Sequence, residues 1–241
     1  MKEQIAFFWR GENTQIPTLL VSSIRNYHDE NMKIIQISDE ETDNIEGVND
    51  VIKLKLPQEM MTARLKAYSQ IKTHSSKTFF IDADSLMVNK LNFNEFGEGI
   101  YITKRSKDFI INHNFPEYYP EFEGKLIKDI MPFLFGAIAI INTHNIFNEL
   151  LEICLNLEKR FQRWYGDQVS LFKYYKENKE LFLFLEQKKY LEIIEEETNI
   201  TKDFVKKKIL EQKVFVTFKG PQDMKRIFKF LIYCEGLKEN I

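Results

Sequence analysis

Apolar and polar residues follow one another along the chain in alternating blocks, and these blocks predict strands and helices in turn. Residues 4–9 and 32–37 are rich in aromatic and β-branched side chains, which favours a strand in each place. Between them, Pro17 begins a segment with Leu20 and Ile24 at helical spacing, which predicts a helix. A strand, a helix and a second strand in this order are typical of a βαβ unit in a parallel sheet.

The same alternation continues towards the end of the chain. Residues 59–73 carry an apolar helical face directly before a strong strand signal at residues 78–81. Residues 176–212 are charged and aromatic without a clean period, and no element is predicted there. Further strands are predicted at 51–54, 99–103, 133–142 and 213–218, and further helices at 146–161 and after residue 221.

Length and composition favour one domain of the α/β class. A chain of 241 residues with 44% hydrophobic side chains can bury one large core, so we expect a single domain covering residues 1–241. Its central sheet is predicted to be mostly parallel and flanked by helices. The 34 Lys and Arg residues nearly balance 36 Asp and Glu residues, which argues against a nucleic-acid partner. Cys154 and Cys234 lie in apolar helical patterns and are expected to be buried thiols.

The two ends of the chain bear on its location. The first residues lack the long apolar run of a signal peptide, and no stretch approaches the ~20 apolar residues of a spanning helix, which favours the cytoplasm. The C-terminal helix places Lys225, Arg226 and Lys229 beside Ile227 and Phe228. This mixture is explained by packing on the domain, and it also predicts peripheral contact with an anionic membrane.

Candidate chemistry is concentrated where the strand at residues 78–81 ends. Asp82 and Asp84 follow this buried strand, and the carboxyl edge of an open α/β sheet is where ligands bind. Residues two apart in an extended chain point to the same side, so both carboxylates can face one point. Hard carboxylate oxygens suit Mg²⁺ or Mn²⁺, which takes its other ligands from water and substrate phosphates.

The same two acids have other interpretations. Most Asp-x-Asp triplets in an acidic chain are solvated turns. Phosphatases of the haloacid dehalogenase type also place Asp-x-Asp after a strand, but on their first strand and with Thr where this chain has Leu86. Arg64, just before the strand, is either a solvated side chain on a helix edge or a contact to the phosphates or sugar of a nucleotide. A phosphate loop, a dinucleotide fingerprint and a recognisable Ser-His-Asp arrangement are all missing from the sequence.

Four motifs in order resemble the metal-dependent glycosyltransferases of the GT-A fold, in particular the glycogenin-like and lipopolysaccharide galactosyltransferase-like group. The first is Phe-Phe-Ile-Asp-Ala-Asp-Ser-Leu-Met-Val at residues 79–88, similar to the family's metal motif. The second is Phe-Gly-Ala-Ile-Ala-Ile-Ile-Asn at residues 135–142, and the third is the pair Asp167 and Gln168. The fourth is Thr-Phe-Lys-Gly at residues 217–220, where the family has His-Phe-x-Gly.

The resemblance implies a Rossmann-like GT-A fold, with the nucleotide bound by about residues 1–90 and the acceptor by about 91–241. It implies a Mn²⁺ or Mg²⁺ cofactor held by Asp82 and Asp84, with Thr217 in the place of the family's histidine ligand. It also implies a nucleoside diphosphate sugar donor, with uridine diphosphate expected as the nucleotide, and a glycan or lipid-linked acceptor. The donor-binding residues implied are Arg64, Asp39, Asp82, Lys219 and Gly220.

Asp167 and Gln168 are the implied catalytic residues, and their role depends on stereochemistry. In an inverting enzyme Asp167 would act as the general base on the acceptor hydroxyl, whereas in a retaining enzyme the pair would orient the donor sugar. Asp167 also has a purely structural interpretation as a helix N-cap. Thr217 in the place of histidine keeps a non-catalytic nucleotide-sugar-binding or interaction protein of the same fold as an alternative. Phe135 is a second departure, since it stands where the family often has an asparagine that helps to form the sugar site.

Overall fold

The computed structural model describes residues 1–113, 119–218 and 223–238. In the first half, the predicted βαβ unit is followed by further strands and one more helix. The elements in order are β1 (Lys2–Phe8), α1 (Gln15–Arg25), β2 (Lys33–Ser38), β3 (Asp50–Lys53), α2 (Met60–Tyr68), β4 (Ser76–Ile81), β5 (Ser85–Met87) and β6 (Gly99–Lys104).

The second half contains shorter elements and more helices. The elements in order are α3 (Ile127–Ile130), β7 (Phe133–Ile141), α4 (Phe147–Leu155), α5 (Lys159–Arg163), α6 (Gly166–Glu177), β8 (Phe182–Leu185), α7 (Gln187–Tyr190), β9 (Glu192–Ile194), α8 (Lys202–Leu210), β10 (Phe215–Phe218) and α9 (Asp223–Lys238).

Seven strands form the main sheet in the order β3-β2-β1-β4-β7-β6-β8. β7 is antiparallel to both of its neighbours, whereas the other neighbouring pairs are parallel. All strands except β7 therefore run in the same direction, and their carboxyl ends meet at one edge. The predicted fold class, an α/β fold with a mostly parallel sheet flanked by helices, is confirmed.

A second, smaller sheet brings a strand near the end of the chain next to a strand from its first half. β10 pairs with β5 in antiparallel register and with β9 in parallel register. The antiparallel register places Thr217 opposite Ser85, directly after the acidic pair. This sheet packs through Val216 and Phe218 against Ile227 and Phe230 of α9.

The main sheet is buried on both faces because its strands alternate between two apolar layers. In β1, Ile5 and Phe7 face the layer that contains α1, whereas Ala6 and Phe8 face the layer that contains α2, α4 and α6. Every residue of β7 is buried, as its unbroken apolar run predicts. Cys154 and Cys234 are buried free thiols, also as predicted.

Three element predictions differ from the structure. The helix predicted at 59–73 ends at Tyr68, and the helix predicted at 146–161 is divided into α4 and α5. The second break follows Leu155, where Asn156 caps α4 and the chain turns before Glu158. The stretch 176–212, which had no assignment, contains the end of α6 followed by four short elements, β8, α7, β9 and α8. Periodicity was absent there because elements of three to nine residues are too short to express it.

Candidate active site

The acidic pair lies at the edge of the main sheet where the parallel strands end. Asp82 directly follows β4, and β4 lies between β1 and β7 in the strand order. Asp39 follows β2 and Arg105 follows β6, so both also lie at this edge. Ligands of open α/β sheets bind outside the carboxyl ends of the strands, which makes this edge the candidate site.

Asp82 is held in place by backbone and side chain together. Its backbone N–H donates a hydrogen bond to the carbonyl oxygen of Gly136 on β7 (3.0 Å), and its Oδ1 accepts from Arg64 Nη1 (2.7 Å). A Cβ at position 136 would lie 2.8 Å from Asp82 Oδ2. The glycine in this apolar strand therefore leaves the space that the carboxylate occupies. With 32% of its side chain exposed, Asp82 can still reach a ligand.

Arg64 connects three elements of the site. It is on α2, and its guanidinium pairs with Asp82 through Nη1 and with Asp167 on α6 through Nη2. The guanidinium carbon also lies 4.8 Å from the centre of the Phe135 ring, within the range of a cation–π contact. Only 15% of its side chain is exposed, so the interpretation of Arg64 as a solvated residue on a helix edge is wrong.

Asp167 is completely buried in the first turn of α6. Tyr165 is the N-cap residue of this helix, with φ at 65°, so the interpretation of Asp167 as an N-cap is wrong. Its Oδ1 does accept a hydrogen bond from the backbone of Gln168 (2.7 Å), and its Oδ2 contacts Arg64. In this conformation Asp167 holds Arg64, and no substrate hydroxyl can reach its carboxylate.

Asp84 meets Thr217 from the small sheet. The Thr217 hydroxyl donates a hydrogen bond to Asp84 Oδ1 (3.3 Å) across a sequence separation of 133 residues. Thr217 is 6% exposed, and Asp84 is partly exposed. The structure thus brings Thr217 next to Asp84, and its role towards a metal stays a prediction.

Gln168 is positioned by an arginine that the sequence analysis missed. Arg105 donates through Nη2 to Gln168 Oε1 (2.8 Å) and through Nε to the carbonyl oxygen of Met131 (2.9 Å). Burial lowers the pKa of Arg105 to about 10, and the more distant Tyr165 and Asp108 oppose this shift. A signal was available, because Arg105 follows its strand as Asp82 follows β4.

Asp39 lies at the same edge in a network of its own. It pairs with Arg10 Nε (3.0 Å) and accepts from the backbone N–H (2.9 Å) and hydroxyl of Thr42. Burial alone would raise the pKa of Asp39, but the hydrogen bonds from Thr42 and the charge of Arg10 outweigh burial, so the pKa lies below its usual value. Arg10 also donates to the carbonyl oxygens of Pro57 and Gln58, which ties the loop after β1 to the start of α2.

Two predicted donor contacts, Lys219 and Gly220, lie outside the described residues. Within the described ranges, no group of three or more His, Cys, Asp or Glu side chains is placed to hold a metal ion. The residues fit a more open site, since Asp82 and Asp84 offer carboxylate oxygens and Mg²⁺ is usually held by one or two carboxylates plus water and phosphate. Asp82 and Asp167 share the guanidinium of Arg64, so two carboxylates face one cationic group there.

Two grooves differ in their relation to this edge. One of about 490 Å³ lies at the opposite, amino-terminal end of the sheet, next to His28 and Met32. The other, of about 400 Å³, lies at the carboxyl edge between the ends of β6 and β8, next to Arg105 and Phe184. Only the second borders a residue that contacts the candidate site, since Arg105 lines it and donates to Gln168.

The strand order of the main sheet, with β7 antiparallel to both of its neighbours, gives an α/β fold of the GT-A class. A solved structure with this fold is that of the galactosyltransferase LgtC in complex with donor and acceptor sugar analogs. The two structures match with a TM-score of 0.55 and 14% sequence identity, over 97% of this chain and 95% of that chain. At this identity the likeness establishes the fold. No family model and no curated protein sequence matches the chain.

Proposed function

We propose that this protein is a glycosyltransferase that moves a sugar from a nucleoside diphosphate sugar, with uridine diphosphate as the expected nucleotide, to a hydroxyl of a glycan or lipid-linked acceptor. The observation that carries the proposal is the arrangement of Asp82, Arg64 and Asp84 at the carboxyl edge of a GT-A fold. The similar galactosyltransferase LgtC was solved with donor and acceptor sugar analogs. We expect the protein to work in the cytoplasm.

The proposed cofactor is Mn²⁺ or Mg²⁺, held by Asp82 and Asp84 and completed by the donor diphosphate and water. When bound, such a cation neutralises negative charge on the departing phosphate. Thr217 donates to Asp84 Oδ1 and so orients that carboxylate, whereas the family's histidine would bind the metal itself. Fewer protein ligands predict a site that closes only when the nucleotide is present.

The protein's own groups act on the leaving phosphate as charge develops. Arg64 is held by Asp167 and stacked on Phe135, so its guanidinium is in place before the donor binds. Charge placed in advance stabilises a transition state without a cost of reorganisation during the reaction. We propose that Lys219 and Gly220 also bind the diphosphate, and that Asp39 with Arg10 lies near the nucleoside.

For Asp167 and Gln168 the geometry favours the orienting role over general-base catalysis. Asp167 is completely buried against Arg64, whereas Gln168 is partly exposed and is held by Arg105. We propose that Gln168 contacts the donor sugar and that Asp167 is a positioning residue for Arg64. This arrangement supports a retaining enzyme, and NMR of the anomeric carbon in the product would test it directly.

The experiment that tests the function is donor hydrolysis and transfer with UDP-, GDP- and CMP-sugars in the presence of Mn²⁺. Asp84→Asn should lower turnover about a hundredfold, because it removes a carboxylate from the cation. Asp203→Asn, an exposed acid on α8, is the matched control and should leave turnover unchanged. Wild-type rates in Asp84→Asn would contradict the metal role.

The alternatives give different results in the same assay. A non-catalytic relative would bind the nucleotide with Mn²⁺ but form no product. A phosphatase of the haloacid dehalogenase type would release inorganic phosphate from a simple phosphoester and lose this activity in Asp82→Asn. The pairing of Asp82 with Arg64 and its place after the fourth strand give the phosphatase alternative no support.

We also propose that α9 contacts an anionic membrane surface. Its outward face exposes Phe228 (53%) and Ile232 (50%) together with Lys225 and Lys229. Within the described ranges, none of the helices has the length and apolarity needed to cross a bilayer. Co-sedimentation with phosphatidylglycerol vesicles should fall in Phe228→Ser and should be weak with phosphatidylcholine vesicles. Equal binding to both lipids would contradict the proposal.

A further inference from the structure

Arg105 is a half-buried cation whose neighbours provide only neutral acceptors. Its Nε and Nη2 donate to the Met131 carbonyl oxygen and to Gln168 Oε1. Throughout residues 1–113, 119–218 and 223–238, no carboxylate lies within 4.0 Å of its guanidinium nitrogens, and Nη1 donates to no group described there. Arg64 provides the contrast, since both of its terminal nitrogens pair with a carboxylate.

Such a cation is unusual because partly buried charges are normally paired. Removing a guanidinium from water costs free energy that a partner anion or a full set of hydrogen bonds has to offset. Arginine binds phosphate and carboxylate groups through two parallel hydrogen bonds, and Arg105 still has Nη1 to offer. A free guanidinium edge at a substrate-binding edge of the sheet is the arrangement that an anionic ligand would complete.

The groove beside Arg105 has the matching charge. Its lining includes Lys104, Lys188 and Arg105, against the single acid Glu186 among the residues that line it. Phe184 is 49% exposed, and Lys104 Nζ lies 5.5 Å from the centre of its ring. An exposed aromatic ring with lysines around it can take the apolar face of a sugar ring while the lysines meet its charged group.

A short chain of contacts connects this groove to the proposed reaction centre. Arg105 contacts Gln168, the adjacent Asp167 contacts Arg64, and Arg64 contacts Asp82. The groove lies at the ends of β6 and β8, which are on the other side of β4 from β2 in the strand order. A ligand in it would reach the reaction centre from the side opposite the proposed nucleoside contact at Asp39, which is the place for an acceptor.

We propose that the acceptor is anionic, and that Arg105, with Lys104 and Lys188, binds a phosphate or carboxylate group on it. This inference rests on the proposed function and names the chemical class of its acceptor. Two sources have this chemistry, a sugar acid within a glycan and a phosphorylated saccharide such as the head of a lipid-linked acceptor. Both would present the charged group to Arg105 and a hydroxyl towards Gln168.

The test is calorimetric titration of the protein, saturated with UDP and Mn²⁺, with three simple probes. Glucuronic acid represents a carboxylate, glucose 6-phosphate represents a phosphate, and glucose is the neutral comparison. At least one anionic probe should bind about tenfold tighter than glucose, since bidentate pairs with arginine are strong. Arg105→Gln should remove this advantage, and Lys188→Gln should reduce it about threefold.

Lys206→Gln, which removes an exposed charge on α8, is the matched control and should bind like the wild type. Two results would overturn the inference: no preference for either anion, or equal losses in Arg105→Gln and Lys206→Gln. If Arg105→Gln does not fold, the comparison of Lys188→Gln with the wild type decides, because the Lys188 side chain is on the surface of the groove.

The same titrations separate this inference from the proposed function. If the wild type binds UDP with Mn²⁺ but prefers no anionic probe, the acceptor class is wrong and the glycosyltransferase proposal stands. If no UDP-, GDP- or CMP-sugar binds with Mn²⁺, the proposed function itself is wrong. If only one of the two anionic probes binds, the result identifies whether the acceptor carries a carboxylate or a phosphate, and it supports the inference in either case.

Discussion

At the scale of single residues, a glycine determines whether Asp82 can occupy its place. Gly136 lies within β7, where every neighbour is apolar and buried, and glycine normally weakens a strand interior. A Cβ here would lie 2.8 Å from Asp82 Oδ2 and 3.1 Å from Leu191. Asp82 cannot easily move aside, because its Oδ1 is hydrogen-bonded to Arg64.

We therefore expect Gly136→Ala to weaken binding of UDP with Mn²⁺ about tenfold, since the methyl group would displace the Asp82 carboxylate, which we propose binds the metal. Stability should fall by only ~1 kcal/mol, because the conflict is with the end of one side chain. Calorimetry and thermal unfolding measure the two effects. Ala139→Gly is the control in the same strand and should lower the stability without weakening the binding of UDP with Mn²⁺. Unchanged binding in Gly136→Ala would contradict this account of the site.

His28 predicts a pH dependence of stability far from the site. Burial, with the charges of Lys90 and Arg25, lowers its pKa from 6.5 to about 4, and Asp29 opposes this shift. Its Nε2 accepts a hydrogen bond from the backbone of Leu91 (3.2 Å), which requires the neutral ring. The unfolded chain therefore takes up the proton first as the pH falls.

The contribution of neutral His28 is complete above pH 6.5 and is lost as the pH falls towards 4. Over this range it amounts to ~3 kcal/mol in the free energy of unfolding. Urea unfolding of the wild type and of His28→Gln at several pH values measures the difference between them. The advantage of the wild type should shrink below pH 6.5, and a constant difference would show that His28 does not titrate as we expect.

Sequence reasoning found the residues that follow one local rule and missed those that depend on partners. Asp82 and Asp84 were predicted because acids directly after a buried strand reach the sheet edge. The pairing of Arg64 with Asp167 was not predictable, because it joins α2 to α6 across a hundred residues. Arg105 also follows a strand, but a sequence does not show that its hydrogen bonds go to neutral acceptors, the Met131 carbonyl oxygen and Gln168.

At the scale of elements, one close helix contact positions Asp167. Gly166 begins α6, and a Cβ there would lie 2.2 Å from the carbonyl oxygen of Phe161 and 2.8 Å from Cys154 Sγ. Backbone cannot move as a side chain can, so only glycine allows α6 to begin this near to α5 and α4. The next residue, Asp167, reaches Arg64 because of that approach.

Gly166→Ala should therefore displace the start of α6 and separate Asp167 from Arg64. We expect a loss of ~3 kcal/mol in stability from overpacking, together with a fall in turnover larger than the unfolded fraction explains. Chemical unfolding and single-turnover assays on the folded fraction measure these effects. Gly236→Ala in α9 is the control, because the added Cβ would have no described atom within 4 Å, and it should be neutral or stabilising. Similar behaviour of both variants would refute the packing argument.

The elements that were predicted correctly are those long enough to show a period. β1, β2, β4 and β7 were found within two residues at each end because their apolar runs are distinct. The four short elements that follow α6 were not predicted, although two of them, β8 and β9, complete the two sheets. Pairing with distant strands stabilises such short strands, and a local pattern does not contain that information.

At the scale of the whole molecule, the candidate site joins the two sheets. Asp82 follows β4 of the main sheet, and Thr217 is on β10 of the small sheet, where it contacts Asp84. The order of motifs in the sequence was enough to predict the fold class, but not this joint between sheets. A cation with a nucleotide would bind groups from both sheets at once, so ligand binding should stabilise the molecule as a unit.

We expect UDP with Mn²⁺ at about one hundred times the dissociation constant to stabilise the folded state by ~2.7 kcal/mol. For a chain of this size that corresponds to a rise of roughly 5–10 °C in the unfolding midpoint. Thr217→Val keeps the buried shape but removes the hydroxyl that orients Asp84, so its midpoint should rise less at the same ligand concentrations. Mn²⁺ alone should have little effect on either protein, because two carboxylates leave the site incomplete without the diphosphate. A full rise with Mn²⁺ alone would mean that the protein holds the metal by itself, and equal rises for Thr217→Val and the wild type would show that the small sheet contributes nothing to the site.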